Sequence, residues 1–222
     1  KNGLNAHPYT VMTYNDADAN EYLPDDEAYS GFLETLGAFD IAAIQYLYGP
    51  NKYQNTGNTT YELTQSELNG WNCIWDNGGT DTISAESALK AVNIDLRNAT
   101  LENETGGGGF VSQIDDLSRG YTIAYNSTGD CIIENATGSG NDDVIRGNSG
   151  KNTINGKSGN DEINGGGGND KLYGAGGNDS IYGDSGKDYI KGHSGKDTIF
   201  GGSGADTILG GSGNDKLYGG SS

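Results

Sequence analysis

A nine-residue period dominates the last third of this chain and restricts its fold more than any other feature. From Gly138 the period runs without a slip to Tyr218, giving nine units. The sixth position is Asp in every unit except the second, where it is Asn152, and the eighth position is always Ile or Leu. A Gly/Asp-rich linker has no reason to keep an apolar residue at one fixed position, so the period indicates a repeat fold.

Each position of the unit has a physical role. The first six residues form a turn whose glycines reach positive φ angles that other residues resist, and this turn directs backbone carbonyls inward beside the Asp carboxylate. Carbonyl and carboxylate oxygens are what Ca²⁺, with roughly six to eight oxygen ligands, requires. The last three residues form a short strand whose middle Ile or Leu points into a narrow core. The pattern predicts a mainly β chain with a right-handed parallel β-roll that binds calcium.

Stacking of the units sets the number of candidate sites. Two units complete one coil, so each unit lies above the next but one, and nine units give about seven stacked pairs. Sites that share Asn152 are expected to be weaker, because a carboxamide replaces a carboxylate. The candidate calcium ligands in the repeats are Ser139, Asn141, Asp143, Asn148, Gly150, Asn152, Gly159, Asp161, Gly166, Gly168, Asp170, Gly177, Asp179, Gly186, Asp188, Gly195, Asp197, Gly202, Gly204, Asp206, Gly211, Gly213 and Asp215.

The composition favours the same interpretation. The 222 residues include 39 Gly, carry a formal net charge of −18 and are only 32% hydrophobic, so an apolar core alone could not offset the conformational entropy of the chain. About seven Ca²⁺ ions would reduce the charge of −18 to about −4, and we expect a chelator to unfold residues 138–218. The acidity argues against nucleic acid as a partner. No apolar run of about 18 residues predicts a membrane span.

Position nine faces outward and places aromatic residues in one column. Tyr182, Phe200 and Tyr218 follow one another at intervals of 18 residues, which is one coil. Such a column could grip a polysaccharide or a capping segment. Packing on the outer face, where aromatic residues suit strands, is the preferred interpretation.

Cys73 and Cys131 are the only cysteines. In an exported chain they are expected to form a disulfide. The alternative is two buried thiols that pack as small apolar groups.

The first 60 residues contain less Gly and more Tyr, Leu and Ala, and part of them has a helical pattern. Asp40 can cap a helix that Gly49 and Pro50 end. This segment, 40–49, looks very like the helix that closes the catalytic domain of the serralysin-type secreted zinc metalloproteases. Residues 9–14, Tyr-Thr-Val-Met-Thr-Tyr, resemble the Met-turn of that family. Residues 73–82 resemble its first calcium loop, and residues 133–136 lead into the repeats as they do there.

The resemblance implies a domain organisation and further site residues. It implies a remnant of the metalloprotease catalytic domain over 1–50, a linking β-sandwich over 51–137 and the calcium roll over 138–222. Met12 would lie beneath a zinc ion, and Tyr14 would complete the zinc coordination of the parent enzyme. Calcium in the sandwich would be held by Asp76, Gly78, Gly79, Asp81 and Glu134. The implied partners are an upstream catalytic domain and a type I export machinery, and the implied location is extracellular, after secretion.

The histidines depart from the family's pattern. A zinc protease of this class needs H-E-x-x-H-x-x-G-x-x-H, whereas this chain has only two histidines, His7 and His193. We therefore expect the chain alone to be inactive and to be the C-terminal portion of a metalloendopeptidase. The alternative is a non-catalytic calcium-dependent module of an adhesin or other surface protein. The stretch between residues 54 and 75 is also shorter than in the family, which puts part of the first calcium site in question.

Overall fold

The computed structural model describes residues 55–65, 71–99, 110–115, 120–124 and 132–221. Within these ranges every regular element is a strand, and no helix long and apolar enough to cross a membrane is found. The predicted helix over 40–49, the Met-turn with Met12 and Tyr14, and the proposed domain 1–50 lie outside the described residues. The strands are β1 (Thr60–Glu62), β2 (Trp71–Ile74), β3 (Thr82–Ser84), β4 (Val92–Asp95), β5 (Val111–Ile114), β6 (Gly120–Ile123), β7 (Asn135–Thr137), β8 (Val144–Arg146), β9 (Thr153–Ser158), β10 (Glu162–Asn164), β11 (Lys171–Gly176), β12 (Ser180–Tyr182), β13 (Tyr189–Ser194), β14 (Thr198–Phe200), β15 (Thr207–Ser212) and β16 (Lys216–Tyr218).

The repeat strands alternate between two sheets. One sheet has the order β1-β3-β7-β9-β11-β13-β15 and the other β16-β14-β12-β10-β8-β4-β5-β6-β2. Each repeat strand pairs in parallel with the strand 18 residues away, so that Ile163 lies opposite Ile181 and Leu172 opposite Ile190. Two units therefore complete one coil, and the predicted parallel β-roll is confirmed.

The two walls of the roll differ in strand length. In one wall the strands β8, β10, β12, β14 and β16 have three residues each, as predicted, whereas β9, β11, β13 and β15 have six. The longer strands continue into the first three positions of the next unit. In the other wall the third position pairs only through single bridges, such as that between Ser185 and Ser203.

The core of the roll is a column of aliphatic side chains from position eight of both walls. The position-eight residues from Ile145 to Ile199 are fully buried, because each alternating side chain in this column points inward between the two walls. Ile208 is only partly buried, and Leu217 is 49% exposed, because among the described residues no further coil covers the last one.

The front strands extend the same two sheets. β1, β3 and β7 stack in parallel ahead of β9, and β4 stacks on β8. β5 then pairs antiparallel with both β4 and β6, and β2 completes this sheet beside β6. Leu63, Ile94 and Ile123 belong to the same buried cluster as the repeat aliphatics. Both sheets and the core thus cross residue 137, and the boundary between sandwich and roll stays a prediction.

The aromatic column lies on the outer face of the wall with short strands. The rings of Tyr182 and Phe200 are 5.2 Å apart and parallel within 2°, and those of Phe200 and Tyr218 are 4.6 Å apart and parallel within 7°. The facing ring surfaces cover one another, so they are not free to stack on sugar rings. This geometry favours the packing interpretation of the column.

Candidate calcium sites in the turns and in the front loop

The position-six aspartates lie inside the turns and connect successive coils. Asp161, Asp170 and Asp179 are all buried. The backbone N–H of Asp143 donates to Oδ1 of Asp161 (2.9 Å), and that of Asp161 donates to Oδ1 of Asp179 (2.9 Å). The same bond recurs at Asn152, Asp170, Asp188 and Asp197, each donating to the aspartate of the next coil. One oxygen of each carboxylate is therefore used to hold the coils in register.

The second oxygen of these carboxylates has no protein donor. Within the described part of the chain, the buried Oδ2 atoms that accept no hydrogen bond include those of Asp161, Asp170, Asp179, Asp188, Asp197 and Asp206. A buried carboxylate oxygen without a donor or a counter-ion is costly. The repeated deficit predicts that a cation from solution satisfies these atoms.

Backbone carbonyls approach the same position. A Cβ at Gly165 would lie 2.6 Å from Oδ2 of Asp170 and 3.1 Å from the carbonyl oxygen of Gly183, one coil further. Every predicted turn glycine except Gly150 has a positive φ, as the ligand-bearing turn requires. No group of three or more His, Cys, Asp or Glu side chains that could hold a metal occurs among the described residues. A cation in these turns would therefore combine few carboxylates with several carbonyls, which suits Ca²⁺.

Burial raises the pKa of the position-six carboxylates. The pKa of Asp161 and of Asp170 is raised from 3.8 to about 7 and that of Asp179 to about 6. Burial is the largest cause, backbone N–H donors oppose it, and nearby carboxylates of adjacent coils raise the pKa further. The pKa values of Asp143, Asp188 and Asp197 are raised in the same direction, again chiefly by burial. The ionised form is thus stabilised within the protein only by a backbone N–H at Oδ1, which does not offset the cost of burial.

The first two units differ from those that follow. Asp143 accepts hydrogen bonds at both oxygens, from the backbone N–H and the hydroxyl of Ser139 (2.5 and 2.9 Å) and from the backbone N–H of Val92 (2.8 Å). Asn152 accepts from the backbone N–H of Asn148 (2.9 Å) and donates to the carbonyl of Glu134 (3.2 Å). The buried side-chain atoms of Asp143 and Asn152 thus have hydrogen-bond partners, unlike Oδ2 of the six aspartates that follow, and the weaker binding at Asn152 stays a prediction.

The remaining predicted side chains of these two turns form hydrogen bonds within the turn or to the front strands. Asn148 donates its amide to the carbonyls of Ile133 (2.9 Å) and Leu96 (3.3 Å) and accepts from the N–H of Gly150 (2.8 Å). Asn141 donates its N–H to the hydroxyl of Ser139 (3.1 Å). At the far end, Asp215 accepts from the N–H of Asp197 (3.1 Å).

The structure places the predicted front residues near one another, although their carboxylates do not converge as a group of three that could hold a metal without other ligands. Asp76 and Asp81 are both fully buried, and the N–H of Asp81 donates to Oε2 of Glu134 (2.7 Å). Oδ1 of Asp81 accepts from the N–H of Thr59 (2.8 Å), while its Oδ2 accepts no bond from any described residue. Burial and the nearby Asp76 and Glu134 raise the pKa of Asp81 to about 6. Gly78 and Gly79 carry the turn between the two aspartates at positive φ.

A loop that the sequence interpretation did not include closes this front site. The N–H of Asn77 donates to the carbonyl of Asn55 (3.2 Å), and the N–H of Thr80 donates to Oδ1 of Asn58 (2.9 Å). A Cβ at Gly79 would lie 2.6 Å from the carbonyl oxygen of Gly57. The short stretch after residue 54 therefore still reaches the site, and its Asn-Thr-Gly-Asn sequence was an available turn signal.

Tyr61 is a second residue that the sequence interpretation did not include. Its hydroxyl donates to Oδ2 of the buried Asp76 (2.6 Å). Burial and this carboxylate raise the pKa of the Tyr61 phenol above its ordinary range, so the proton stays on the phenol.

The parallel β-roll with acidic glycine turns is a class of repeat fold, and comparison with known sequences gives the same class. The family profile of the RTX calcium-binding nonapeptide repeat matches four overlapping segments, residues 137–172, 155–190, 164–199 and 191–222. Residues 137–222 are therefore a run of RTX calcium-binding repeats.

Two curated proteins are similar over a longer part of the chain. Serralysin of Proteus mirabilis is 32% identical over 131 residues, which is 54% of this chain and 24% of that protein. Metallopeptidase AprA of Pseudomonas marginalis is 33% identical over 148 residues, which is 59% of this chain and 29% of that protein. The matched part thus covers about a quarter of the length of these relatives.

The structure does not test the predicted disulfide. Cys73 lies half-buried on β2, and Cys131 lies outside the described residues, so their pairing stays a prediction. His193, the histidine in the roll, is half-buried, and its ring lies 6.2 Å from that of Tyr173.

Proposed function

We propose that this chain is the calcium-dependent C-terminal region of a secreted, serralysin-like zinc metalloendopeptidase. Calcium folds and stabilises the region outside the cell, and the calcium-free form passes through a type I export machinery. The row of buried Oδ2 atoms without donors, from Asp161 to Asp206, is the observation that carries the proposal.

The calcium sites are proposed to use both turns of each stacked pair. The carboxylates of position six and the carbonyls of the turn glycines supply oxygen ligands, and about seven ions fill the roll. In the front loop, Asp76, Asp81 and Glu134 are proposed to supply side-chain oxygens, and carbonyls of the turn with Gly78 and Gly79 would complete the ligand set, because the three carboxylates do not form a metal-binding group by themselves. The residues present fit calcium because the unsatisfied Asp81 Oδ2 and the roll's Oδ2 atoms require a cation that no described ion pair provides.

Binding energy of this size can control folding. Ligand at ten times its Kd contributes about 1.4 kcal/mol per site, so about seven sites contribute on the order of 10 kcal/mol. That equals the typical net stability of a whole domain, about 5–15 kcal/mol. A roll with one aliphatic residue per unit in its core is expected to depend on this contribution.

Zinc belongs to the parent enzyme in this proposal. Tyr14 would be a ligand and Met12 would lie below the metal, while the histidines and the general base would come from a preceding catalytic domain. The similarity to serralysin and AprA supports this assignment. The coding sequence ahead of Lys1 provides the test: an H-E-x-x-H-x-x-G-x-x-H motif is expected, and its absence would favour the adhesin module.

A calcium titration followed by far-ultraviolet circular dichroism tests the calcium-dependent folding. Strand signal should appear cooperatively with Ca²⁺ and not with Mg²⁺, which demands tighter octahedral geometry. Asp179→Asn removes one ligand charge and should move the midpoint to about tenfold higher calcium. Asp184→Asn is the matched control, since Asp184 is an exposed carboxylate in the same roll, and it should leave the midpoint in place. A strand signal that is complete in chelator would refute the proposal.

A further inference from the structure

Tyr61 contacts the front site without belonging to its predicted ligand set. Its hydroxyl donates to Oδ2 of Asp76 at 2.6 Å, and Asp76 is fully buried. The other oxygen, Oδ1, faces the N–H of Gly78 at 3.3 Å, within the turn that leads to Asp81. The two carboxylate oxygens of Asp76 therefore have different neighbours.

The ring of Tyr61 is itself held in place. Tyr61 lies opposite Ile83 in the pairing of β1 with β3, which begins directly after Asp81. Its ring meets that of Tyr121 edge to face, with centroids 6.0 Å apart and planes at 67°. The contact with Tyr61 is made by the Tyr121 ring and not by its hydroxyl, which donates instead to the carbonyl of Glu62 (3.1 Å). The phenol thus approaches Asp76 from a fixed direction.

We infer that Tyr61 is a positioning residue that orients the Asp76 carboxylate for a cation. With Oδ2 held by the phenol, Asp76 presents Oδ1 toward the turn and binds through one oxygen. The inference rests on the proposed calcium site of Asp76, Asp81 and Glu134. Hydrogen bonds from outside the ligand set typically change metal affinity by about 10–100-fold.

Terbium(III), which replaces Ca²⁺ in oxygen sites and luminesces when an excited indole is near, isolates this site from the roll. The chain has two tryptophans, Trp71 and Trp75, and both precede the repeats. Trp75 is adjacent to Asp76 in sequence. Excitation at the red edge of the indole band, where tyrosine does not absorb, therefore reports terbium at the front site and not in residues 138–222.

The experiment compares three variants of the full chain with the unchanged protein. Tyr61→Phe should need about tenfold more terbium, or competing calcium, for half-maximal sensitised emission. Its emission lifetimes in H₂O and D₂O should also give a different number of terbium-bound waters, because Asp76 is no longer held. Tyr121→Phe keeps both rings and removes a neighbouring hydroxyl, so it should leave affinity and water count unchanged. Asp81→Asn should remove the sensitised emission.

The outcomes separate the two levels of the inference. If Asp81→Asn removes emission while Tyr61→Phe matches the unchanged protein in affinity and water count, Tyr61 only packs there and the inference is overturned. If Tyr121→Phe loses as much affinity as Tyr61→Phe, the effect is loss of packing, which also overturns it. If Asp81→Asn retains full emission, the front calcium site itself is wrong, independently of the calcium-dependent roll.

Discussion

The front strands and the repeat strands share two sheets and one core, but they satisfy their buried charges differently. In the front, the buried carboxylate of Asp95 receives hydrogen bonds from Nε (2.9 Å) and Nη2 (2.5 Å) of Arg97. In the roll, none of the ion pairs found in the described residues involves a position-six aspartate. The front supplies a side-chain counter-ion for Asp95 and, among the buried carboxylates that the structure describes there, leaves only Asp81 Oδ2 without a donor, whereas the described position-six aspartates from Asp161 to Asp206 all lack a side-chain counter-ion.

The hydrophobic contribution differs in the same direction. The front packs several aliphatic residues from β3, β4, β5 and β6 around one another, including Ile83, Ile94, Ile114 and Ile123. The roll adds one Ile or Leu per nine residues. A buried aliphatic side chain is worth about 1.5–3 kcal/mol, while ordering one residue costs about 1–2 kcal/mol in the backbone alone. We therefore expect the stability of the roll to depend on cations more strongly than that of the front does.

Removing calcium should separate the two regions most clearly. In chelator, hydrogen exchange measured by mass spectrometry should show full loss of protection over residues 138–218, because on the order of 10 kcal/mol of binding energy is lost. Peptides covering β4, β5 and β6 should retain part of their protection. Equal loss of exchange protection in both regions would show that the front depends on calcium as much as the roll does.

Deleting one core side chain in each region should sharpen the comparison. At saturating calcium, Ile94→Ala and Ile181→Ala should each cost about 2–5 kcal/mol in urea unfolding, since both side chains are fully buried. Ile181→Ala should also raise the calcium midpoint, whereas Ile94→Ala should move it little. Thr198→Ala is the control, because Thr198 on β14 is only half-buried, and it should change both the unfolding free energy and the calcium midpoint less than Ile181→Ala does. If Ile94→Ala shifts the calcium midpoint more than Ile181→Ala does, the front and not the roll is the region that depends more on calcium.

Acidity should affect the calcium-free roll in a defined direction. The folded-state pKa of Asp161 and Asp170 is about 7, above the ordinary value of 3.8, so the folded form binds more protons than the unfolded form between these values. Its stability is complete below the lower value and is lost as the pH rises through the higher one. Without calcium, strand content by circular dichroism should be higher at pH about 5 than at about 8. With saturating calcium this pH dependence of strand content should vanish or invert. If it is the same with and without calcium, the position-six aspartates are not its cause.

The sequence predicts the roll well because its decisive residues recur at a fixed spacing. The Ile or Leu at position eight and the glycines at positive φ follow directly from the period. The bonds of Asn148 to Leu96 and of Tyr61 to Asp76 join segments with no common period, so only the fold reveals them. The six-residue strands of one wall were also missed, because both walls have the same nine-residue pattern.

Asn152 is the only position-six residue that is not Asp, and changing it to Asp should make its turn depend on calcium as the other turns are expected to. In Asn152→Asp the bond to the carbonyl of Glu134 is lost, which costs about 1–3 kcal/mol where no cation compensates. At limiting calcium, exchange protection of β7 and β9 should fall, and at saturating calcium it should rise. Asp170→Asn, on the same side of the roll, should lower protection most at saturating calcium. A change of the same sign for Asn152→Asp in both conditions would show that this turn takes no ion.

The smallest effect is expected at a turn position where the chain accepts strain. Ala175 has φ of 77°, a conformation that costs a residue with a Cβ about 1–2 kcal/mol. Ala175→Gly removes this strain but adds flexibility to the unfolded chain, so a net gain of about 0.5 kcal/mol is expected. Ala136→Gly is the matched control, because Ala136 is buried in β7 and is not among the residues at positive φ. Thermal unfolding at saturating calcium should show a slightly higher midpoint for the first variant and a lower one for the second. If both midpoints fall, the positive φ of Ala175 is not a source of strain. The glycines in the wall with six-residue strands would then be required because carbonyls of the neighbouring coil approach them closely, and not because of their φ angles.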